Sequence, residues 1–236
     1  MLIDFHSHIL PKMDDGSRSV AESIEMLKAE AEQGVTHVVC TPHFYARHDR
    51  PEDFFCRRKE SYNRLQNEMA KYSDLPDILL GAEVYYFRGM ASSEVLPQLT
   101  IGNTPYLMVE MPQGSWQPSV YEELLQIRRN WNIIPIVAHI DRYIAPLRTH
   151  GIPDKLAKLP VLVQANAEFF YDRRTHNMAM RMLKSGKIHL LGSDCHNMES
   201  RKPDLREAAQ IIEDRLGKEP LHRIYRDSCE ILGLPY

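Results

Sequence analysis

The sequence predicts an α/β protein with a parallel, barrel-like sheet in a single domain, and three observations support this. Seven short apolar segments alternate with helical patterns along the 236 residues, which is the order expected for a parallel sheet covered by helices. The chain has the length of a single α/β barrel. It contains no linker or low-complexity stretch, so we expect one domain over residues 1–236.

The predicted strands are short runs dominated by Val, Ile and Leu. This composition is typical of strands that are buried on both faces of a parallel sheet. In chain order, the seven strands are LIDFHSH, THVVCTPH, ILLGAEV, YLMVEM, IIPIVAHI, VLVQANA and IHLLGSD.

The predicted helices lie between the strands and after the last one. In SVAESIEMLKAEAEQG, Ser19 and Glu22 predict a capping box and Gly34 predicts the end of the helix. Pro51 predicts the start of a charged helix near residues 51–72, while residues 41–60 and 111–118 have the composition of long loops. The remaining predicted helices are VYEELLQIRRNW, MAMRMLKSG, DLREAAQIIEDRLG and PLHRIYRDSCEIL.

The composition argues against several classes of protein. The formal net charge is −3 without a basic block, which disfavours nucleic-acid binding. No apolar run reaches the length of a membrane span, and the start of the chain, with Asp4 and two histidines, does not have the pattern of a signal peptide. The four cysteines have no CxxC spacing, so we expect a cytoplasmic protein with reduced thiols.

Metal-ligating residue types stand at the ends of six predicted strands. In a parallel barrel these carboxyl ends meet on one face, where the active sites of such barrels lie. His6 and His8 are two residues apart and can point to the same side of their strand, and Asp15 in the following loop can reach the same place. The other strand-end candidates are His43, Glu83, Glu110, His139, Asp194 and His196.

As a set, these residues predict a metal centre, although any one of them alone could be a solvated strand-end side chain. Charged groups gathered in a barrel mouth repel one another and lose hydration unless they are paired. One zinc-like ion takes about three or four protein ligands. Five imidazoles and four carboxylates exceed that number, so two or three divalent ions are expected. The mixed nitrogen and oxygen donors suit manganese, iron or zinc rather than calcium.

Six segments carry a resemblance to a known family, in the order DFHSHILPKMDDG, TPHF, GAEVYY, VEMP, AHIDRY and GSDCHN. Together they resemble the polymerase-and-histidinol-phosphatase (PHP) family. More narrowly, they resemble its bacterial protein-tyrosine-phosphatase branch, the manganese-dependent enzymes of capsule and exopolysaccharide loci. The likeness runs from Leu2 to about Arg201. It implies a distorted (β/α)7, TIM-like barrel that holds three metal ions, with manganese favoured.

The resemblance also implies how the ligands are shared among the ions. One ion would be surrounded by His6, His8, Glu83 and Asp194. Glu83 would bridge to a second ion, which is shared with Glu110 and His139. A third would be held by Asp15, His43 and His196. The family's HxER stretch reads here as His139-Ile140-Asp141-Arg142, with Asp in place of Glu.

The implied function is hydrolysis of phosphotyrosine on the tyrosine-rich tail of a bacterial tyrosine kinase that controls capsule or exopolysaccharide synthesis. The expected reaction is in-line attack by a metal-activated hydroxide on phosphorus. Arg142 and Arg201 are the candidates for holding the phosphate, because a guanidinium fork matches its oxygens. Tyrosine leaves as a weakly basic phenolate, so we assign no general acid.

Several alternative functions remain open from the sequence. Cys195 and Arg201 have the C-x5-R spacing of cysteine-dependent phosphatases, but the stretch lacks an internal glycine and interleaves with Asp194 and His196. A metal centre of this kind would also suit a small phosphomonoester such as histidinol phosphate, or a nuclease. A non-catalytic regulator that binds a phosphotyrosine kinase tail is a further possibility. The MDDG segment and the modest chain length favour the tyrosine phosphatase.

Overall fold

Parallel strands curl around a common axis, with helices outside them. The computed structural model describes residues 2–144 and 151–236. The strands are β1 (Leu2–Ser7), β2 (Val35–Cys40), β3 (His43–Phe44), β4 (Asp77–Leu80), β5 (Glu83–Tyr85), β6 (Tyr106–Glu110), β7 (Ile134–Val137), β8 (Leu162–Asn166) and β9 (Leu190–Gly192).

Helices follow most of the strands, as the sequence predicts. They are α1 (Val20–Glu32), α2 (Pro51–Met69), α3 (Leu96–Leu99), α4 (Pro118–Trp131), α5 (Asp141–Ile144), α6 (Ile152–Leu156), α7 (Glu168–Tyr171), α8 (His176–Lys184), α9 (Leu205–Leu216) and α10 (Glu219–Leu232), with a 3-10 turn at Met90–Ser92. Among the described residues, no helix is both long and apolar enough to cross a membrane.

The sheet divides into two parallel parts that meet at β1. One part has the order β1-β2-β4 and the other has the order β3-β5-β6-β7-β8-β9. Two of the seven predicted strands are each split in two, so that THVVCTPH becomes β2 and β3, and ILLGAEV becomes β4 and β5. After β9, the chain returns to β1 through a parallel bridge between Ser7 and Cys195. This closure confirms the predicted barrel-like α/β fold.

Apolar side chains fill the barrel and the layer between the sheet and its helices. One cluster combines Phe5 of β1, Met108 of β6 and Ile136 of β7 with Ile231 and Leu232 of α10. A larger cluster packs α1, α2, α4, α8 and α9 against the outer face of the strands. Burial of these surfaces stabilises the fold by roughly 25 cal/mol per Å² of apolar area.

Local signals set the helix boundaries at the start of the chain. The Ser19 hydroxyl accepts a hydrogen bond from the Glu22 amide at 3.1 Å, and Gly34 has a φ of +83° just after α1, as expected for a helix end. The loop predicted over residues 41–60 is wrong beyond residue 50, because α2 begins at Pro51 and buries Phe54 and Leu65. Residues 111–117 are irregular, as predicted.

Candidate metal centre

All nine predicted ligand residues lie together at the carboxyl ends of the strands. The His6 ring centroid is 5.3 Å from that of His8 and 5.5 Å from that of His139. The His8 ring lies 4.6 Å from His43 and 3.9 Å from His196. Five imidazoles from four separate strand ends therefore share one small volume of the barrel mouth.

Glu83 lies at the centre of this volume and contacts four of the imidazoles. Its Oε2 atom is 3.0 Å from His43 Nδ1, 3.2 Å from His6 Nε2 and 3.3 Å from His8 Nε2. Its Oε1 atom is 2.7 Å from His139 Nε2. Burial alone would raise the pKa of Glu83, but the imidazoles of His6 and His139 hold that pKa well below its usual range. The carboxylate therefore stays ionised.

Within the centre, three groups of side chains each offer donor atoms that lie within 4.8 Å of one another. The first is His6, His8 and Asp194, the second is His43, Glu83 and Glu110, and the third is His8, Asp15, His43 and His196. Asp15 is the most exposed of these residues, and its Oδ1 atom lies 3.4 Å from His196 Nε2. The open side of the centre is therefore at Asp15.

Buried polar atoms in the centre lack hydrogen-bond partners, which supports its fit to metal ions. Among the described residues, Glu83 Oε2, His43 Nδ1, His139 Nδ1 and His196 Nε2 are buried and make no contact with hydrogen-bond geometry, although Glu83 Oε2 and His43 Nδ1 are 3.0 Å apart. The Nε2 atoms of His6 and His8 face each other at 3.2 Å. Leaving buried polar atoms unpaired costs about 1–3 kcal/mol each. Nitrogen and carboxylate donors that face one another this way are suited to divalent cations.

The protonation tendencies of the imidazoles also favour a cationic occupant. Burial lowers the pKa of His6, but the charges of Glu83 and Asp194 outweigh it and raise that pKa overall. Burial and the neighbouring charge of His8 lower the pKa of His196 to about 3. The carboxylates thus favour positive charge in the site, but the imidazoles cannot all be protonated at once. A divalent ion would supply that positive charge while the rings stay neutral.

Backbone geometry aims two of these side chains into the centre. His139 and Asp194 have φ values of +31° and +54°, a region that residues other than glycine rarely adopt. Just before Asp194, Gly192 leaves so little room that a Cβ atom there would lie 2.6 Å from the Cβ of His6. Strained backbone of this kind is concentrated at functional sites.

Asp194 connects the imidazole cluster to both predicted phosphate-binding arginines. Its Oδ1 atom faces His6 and His8 at 3.6 and 3.5 Å. Its Oδ2 atom pairs with the Arg142 guanidinium and lies 2.7 Å from Arg201 Nη2. Each arginine side chain is about one-third exposed, so both can reach a ligand in the barrel mouth.

Three supporting residues escaped the sequence analysis. Asp14 accepts hydrogen bonds from His8 Nδ1 at 2.7 Å and from the His43 amide at 2.9 Å. Gln164 Oε1 accepts one from the His139 amide at 2.6 Å, and Asn166 Nδ2 donates to Asp194 Oδ2 at 3.0 Å. The available signals were the paired acids of MDDG and the two amides, spaced by two, in the apolar strand VLVQANA.

Cys195 is not placed as a nucleophile. The side chain is fully buried, and its Sγ atom points to Glu30 Oε1 at 3.9 Å, behind the centre. Burial and the charges of Glu30 and Asp4 raise the pKa of the thiol well above its usual value. A thiolate is therefore strongly disfavoured, which argues against the alternative based on the C-x5-R spacing.

Comparisons with known proteins agree with this geometry. The tyrosine-protein phosphatase CpsB of Streptococcus agalactiae is 28% identical over 240 residues, covering 97% of each chain. The tyrosine-protein phosphatase YwqE of Bacillus subtilis is 28% identical over 98% of this chain and 91% of its own.

Solved structures share the fold. One match comes from crystal structures of YwqE from Bacillus subtilis and CpsB from Streptococcus pneumoniae, described as metal-dependent tyrosine phosphatases. It has a TM-score of 0.86 at 22% identity, covering 99% of this chain and 96% of that one. A sequence model of the family "Capsular polysaccharide synthesis, CpsB/CapC" matches residues 2–232. This match confirms the resemblance seen in the sequence, and the chain belongs to the CpsB/CapC family of capsular polysaccharide synthesis.

Proposed function

We propose that this chain is a metal-dependent protein-tyrosine phosphatase. The observation that carries the proposal is the position of Asp194, whose two oxygens face the imidazole cluster on one side and two guanidinium groups on the other. A phosphate bound by those arginines would lie directly beside the cluster. The names of the relatives, which are tyrosine-protein phosphatases, support phosphotyrosine as the substrate class.

The metal centre that we propose holds two or three divalent ions. Its ligands would be His6, His8, Asp15, His43, Glu83, Glu110, His139, Asp194 and His196. We favour manganese, with iron and zinc as alternatives, because the donors mix imidazole nitrogen with carboxylate oxygen. When bound, such ions supply a water of lowered pKa as the nucleophile and offset negative charge on the phosphate.

The protein's own groups would bind the substrate and hold the centre in shape. Arg142 and Arg201 would bind the phosphate oxygens through charge-assisted hydrogen bonds. Asp14 would keep the His8 ring oriented through Nδ1, which leaves Nε2 directed at the centre. The phenolate of tyrosine, with a pKa near 10, leaves without the strong general acid that an alkoxide would require.

The physiological substrate that we propose is the tyrosine-rich tail of a bacterial tyrosine kinase that controls capsule or exopolysaccharide synthesis. The family to which the chain belongs is named for capsular polysaccharide synthesis. All four cysteines are free, which fits the cytoplasmic location that such a partner requires.

The test combines elemental analysis with turnover of a phosphotyrosine peptide. The purified protein should contain divalent metal, lose activity with a chelator and recover it with manganese. Many turnovers per protein chain would rule out a regulator that only binds phosphotyrosine. Full activity after complete removal of metal, or no activity on phosphotyrosine with the metal restored, would contradict the proposal.

A further inference from the structure

Two tyrosines stand at the rim of the barrel mouth, just outside the candidate metal centre. Tyr45 follows His43 by two residues, and Tyr85 follows Glu83 by two residues at the end of β5. Residues two apart along a strand point to the same side, and the chain rises about 3.3 Å per residue. Tyr85 therefore lies about 7 Å further out along β5 than Glu83, and Tyr45 follows directly after the end of β3.

The two rings form an aromatic pair that continues outward from the imidazoles. The Tyr45 ring centroid lies 5.2 Å from that of His43 and 5.8 Å from that of Tyr85. The planes of the two tyrosine rings are tilted by 44°. Centroid distances of about 4.5–7 Å are those of favourable aromatic contacts. A third ring could therefore join this pair at the mouth.

The pair is accessible and has open space beside it. Tyr85 is 37% exposed, and among the described residues it is one of two exposed large apolar side chains, the other being Tyr236. A cavity of about 340 Å³ adjoins the pair, lined by Tyr45, Tyr85, Tyr86, Phe87, Arg47 and His48. Such a volume lies within the range of small-ligand pockets.

We propose that Tyr45 and Tyr85 bind the aryl ring of the substrate and select aryl over alkyl phosphate esters. The inference rests on the proposed function, in which the phosphate lies between the ions and the arginines at the floor of the mouth. The phenyl ring of phosphotyrosine would then pass between the floor and the peptide backbone at the height of this pair. A phosphoserine ester has no ring to place there and gains no aromatic contact.

The test measures binding of two non-hydrolysable phosphonates, so that it does not depend on turnover. Calorimetry on the manganese-loaded protein compares phenylphosphonate with methylphosphonate. The wild-type protein should bind phenylphosphonate about tenfold more tightly. Tyr45→Ala and Tyr85→Ala should each reduce this preference about threefold to tenfold, the range expected for one aromatic contact. Affinity for methylphosphonate should stay unchanged.

Matched variants separate the ring from the hydroxyl and from folding. Tyr45→Phe and Tyr85→Phe keep the ring and should keep the preference. Tyr236→Ala removes an exposed tyrosine that lies in a separate cleft with Ile3 and Tyr225, and it should change neither affinity. Metal content and circular dichroism identify any alanine variant that is misfolded, in which case Tyr45→Leu and Tyr85→Leu replace it, because they keep apolar bulk without a ring.

The outcomes distinguish this inference from the proposed function. Equal affinity of the wild-type protein for both phosphonates, or alanine variants with the wild-type preference, would overturn the role of the pair. A parallel loss of affinity for both phosphonates would also overturn it, because it would place the tyrosines in phosphate binding rather than ring binding. A wild-type protein that prefers phenylphosphonate but does not hydrolyse phosphotyrosine would contradict the proposed function. It would still support the binding of an aryl ring by Tyr45 and Tyr85.

Discussion

At the scale of single residues, the two oxygens of the Asp194 carboxylate contact different sets of side chains. Its Oδ2 atom accepts hydrogen bonds from Arg142 and from the side-chain amide of Asn166, and it forms an ion pair with Arg201. Removing any one of these three partners leaves two in place. The orientation of Oδ1 toward the imidazoles should therefore survive the loss of one arginine.

This arrangement predicts different results for the arginines and the ligands. Arg142→Ala and Arg201→Ala should leave the metal content near wild type, because guanidinium has no lone pair for a cation. Each should lose about 2–4 kcal/mol of transition-state stabilisation, partly through the Michaelis constant, because the ground-state phosphate is already anionic. Replacement of His6, Glu83 or Asp194 should lower the metal content itself. Elemental analysis and steady-state kinetics on a phosphotyrosine peptide measure both effects.

Arg129, an exposed residue of α4 that pairs with Glu122, gives the control. Arg129→Ala removes the same charge far from the strand ends and should change neither metal content nor kinetics. An Arg142→Ala protein with normal kinetics, or one stripped of metal, would remove Arg142 from the proposed phosphate site.

The buried position of Cys195 leads to a second residue-scale prediction. Cys195→Ser should retain hydrolysis of phosphotyrosine within a few-fold of wild type, because the thiol faces Glu30 rather than the barrel mouth. Kinetics measured at equal metal content provide the test. Complete loss of turnover with normal metal content would mean that a thiolate carries out the reaction.

Residue types at strand ends allowed the sequence to predict all nine side chains that the structure gathers, while their roles as ligands stay a prediction. The rule that parallel strands end on one face was sufficient for this. Asp14, Gln164 and Asn166 were missed because their contribution is hydrogen bonding to other site residues. Such partners depend on loop conformation and on contacts between distant strands, which residue spacing does not encode.

At the scale of elements, the close approach of β1 and β9 determines how the site is assembled. The Asp194 amide donates to the His6 carbonyl at 2.7 Å, and the His8 amide donates to the Cys195 carbonyl at 2.9 Å. These bonds join the two strand ends that carry four of the candidate ligands. Gly192 is the residue that permits this approach, since a Cβ there would also lie 2.9 Å from the His6 amide nitrogen.

Gly192→Ala should therefore weaken both folding and metal binding. Forcing a methyl group into this contact should cost about 1–3 kcal/mol of unfolding free energy and move His6 away from Asp194. Denaturant unfolding and metal titration provide the two measurements. Gly151→Ala is the control, because a Cβ there meets nothing within 4 Å and its φ is −79°. If Gly192→Ala and Gly151→Ala had equal effects, the close contact between β1 and β9 would not be required for stability or for metal binding.

The sequence predicted where the strands and helices lie better than it predicted the breaks within individual strands. Apolar patterns located seven strands and the long helices, but the breaks within THVVCTPH and ILLGAEV were not anticipated. Those breaks arise where a strand changes its hydrogen-bonding partner between the two parts of the sheet. Partner choice is a tertiary property, so local periodicity could not reveal it.

At the scale of the whole molecule, a set of buried acids lies behind the metal centre. Asp4 accepts hydrogen bonds from the Ser193 amide and hydroxyl at 2.9 and 2.5 Å. Burial and the charge of Asp4 raise the pKa of Glu30 well above its usual range. Asp204, which accepts from the Tyr171 hydroxyl at 2.5 Å, has its pKa raised by burial to about 7.

Asp204 should give the unfolding free energy a defined pH dependence. Because its folded pKa of about 7 exceeds the ordinary aspartate value of 3.8, the folded state keeps a proton that the unfolded state loses between these two pH values. Its contribution to stability is therefore present below pH 4 and is lost as the pH rises to about 7. Asp204→Asn should remove this loss. Its stability relative to wild type should therefore be greater at pH 8 than at pH 4, by about 4 kcal/mol at most.

Denaturant unfolding at several pH values in excess chelator measures this difference. Asp214→Asn is the control. It removes one carboxylate charge from α9, the helix that begins just after Asp204, but Asp214 is exposed to solvent. Wild-type and Asp204→Asn curves that stay parallel from pH 4 to pH 8 would show that Asp204 does not hold its proton in the folded protein.

The bridge between Ser7, at the end of β1, and Cys195, just after β9, also has a consequence for the order of events during synthesis. His6 and His8 leave the ribosome well before Asp194 and His196, the residues that complete their groups. At about 5–20 residues per second, the interval is on the order of 10–40 s. During that time the nascent chain has the early imidazoles but not their late partners. The proposed ions would therefore be retained in these two groups only after translation has passed His196. Any ion that the early histidines captured before then would be held by an incomplete set of ligands.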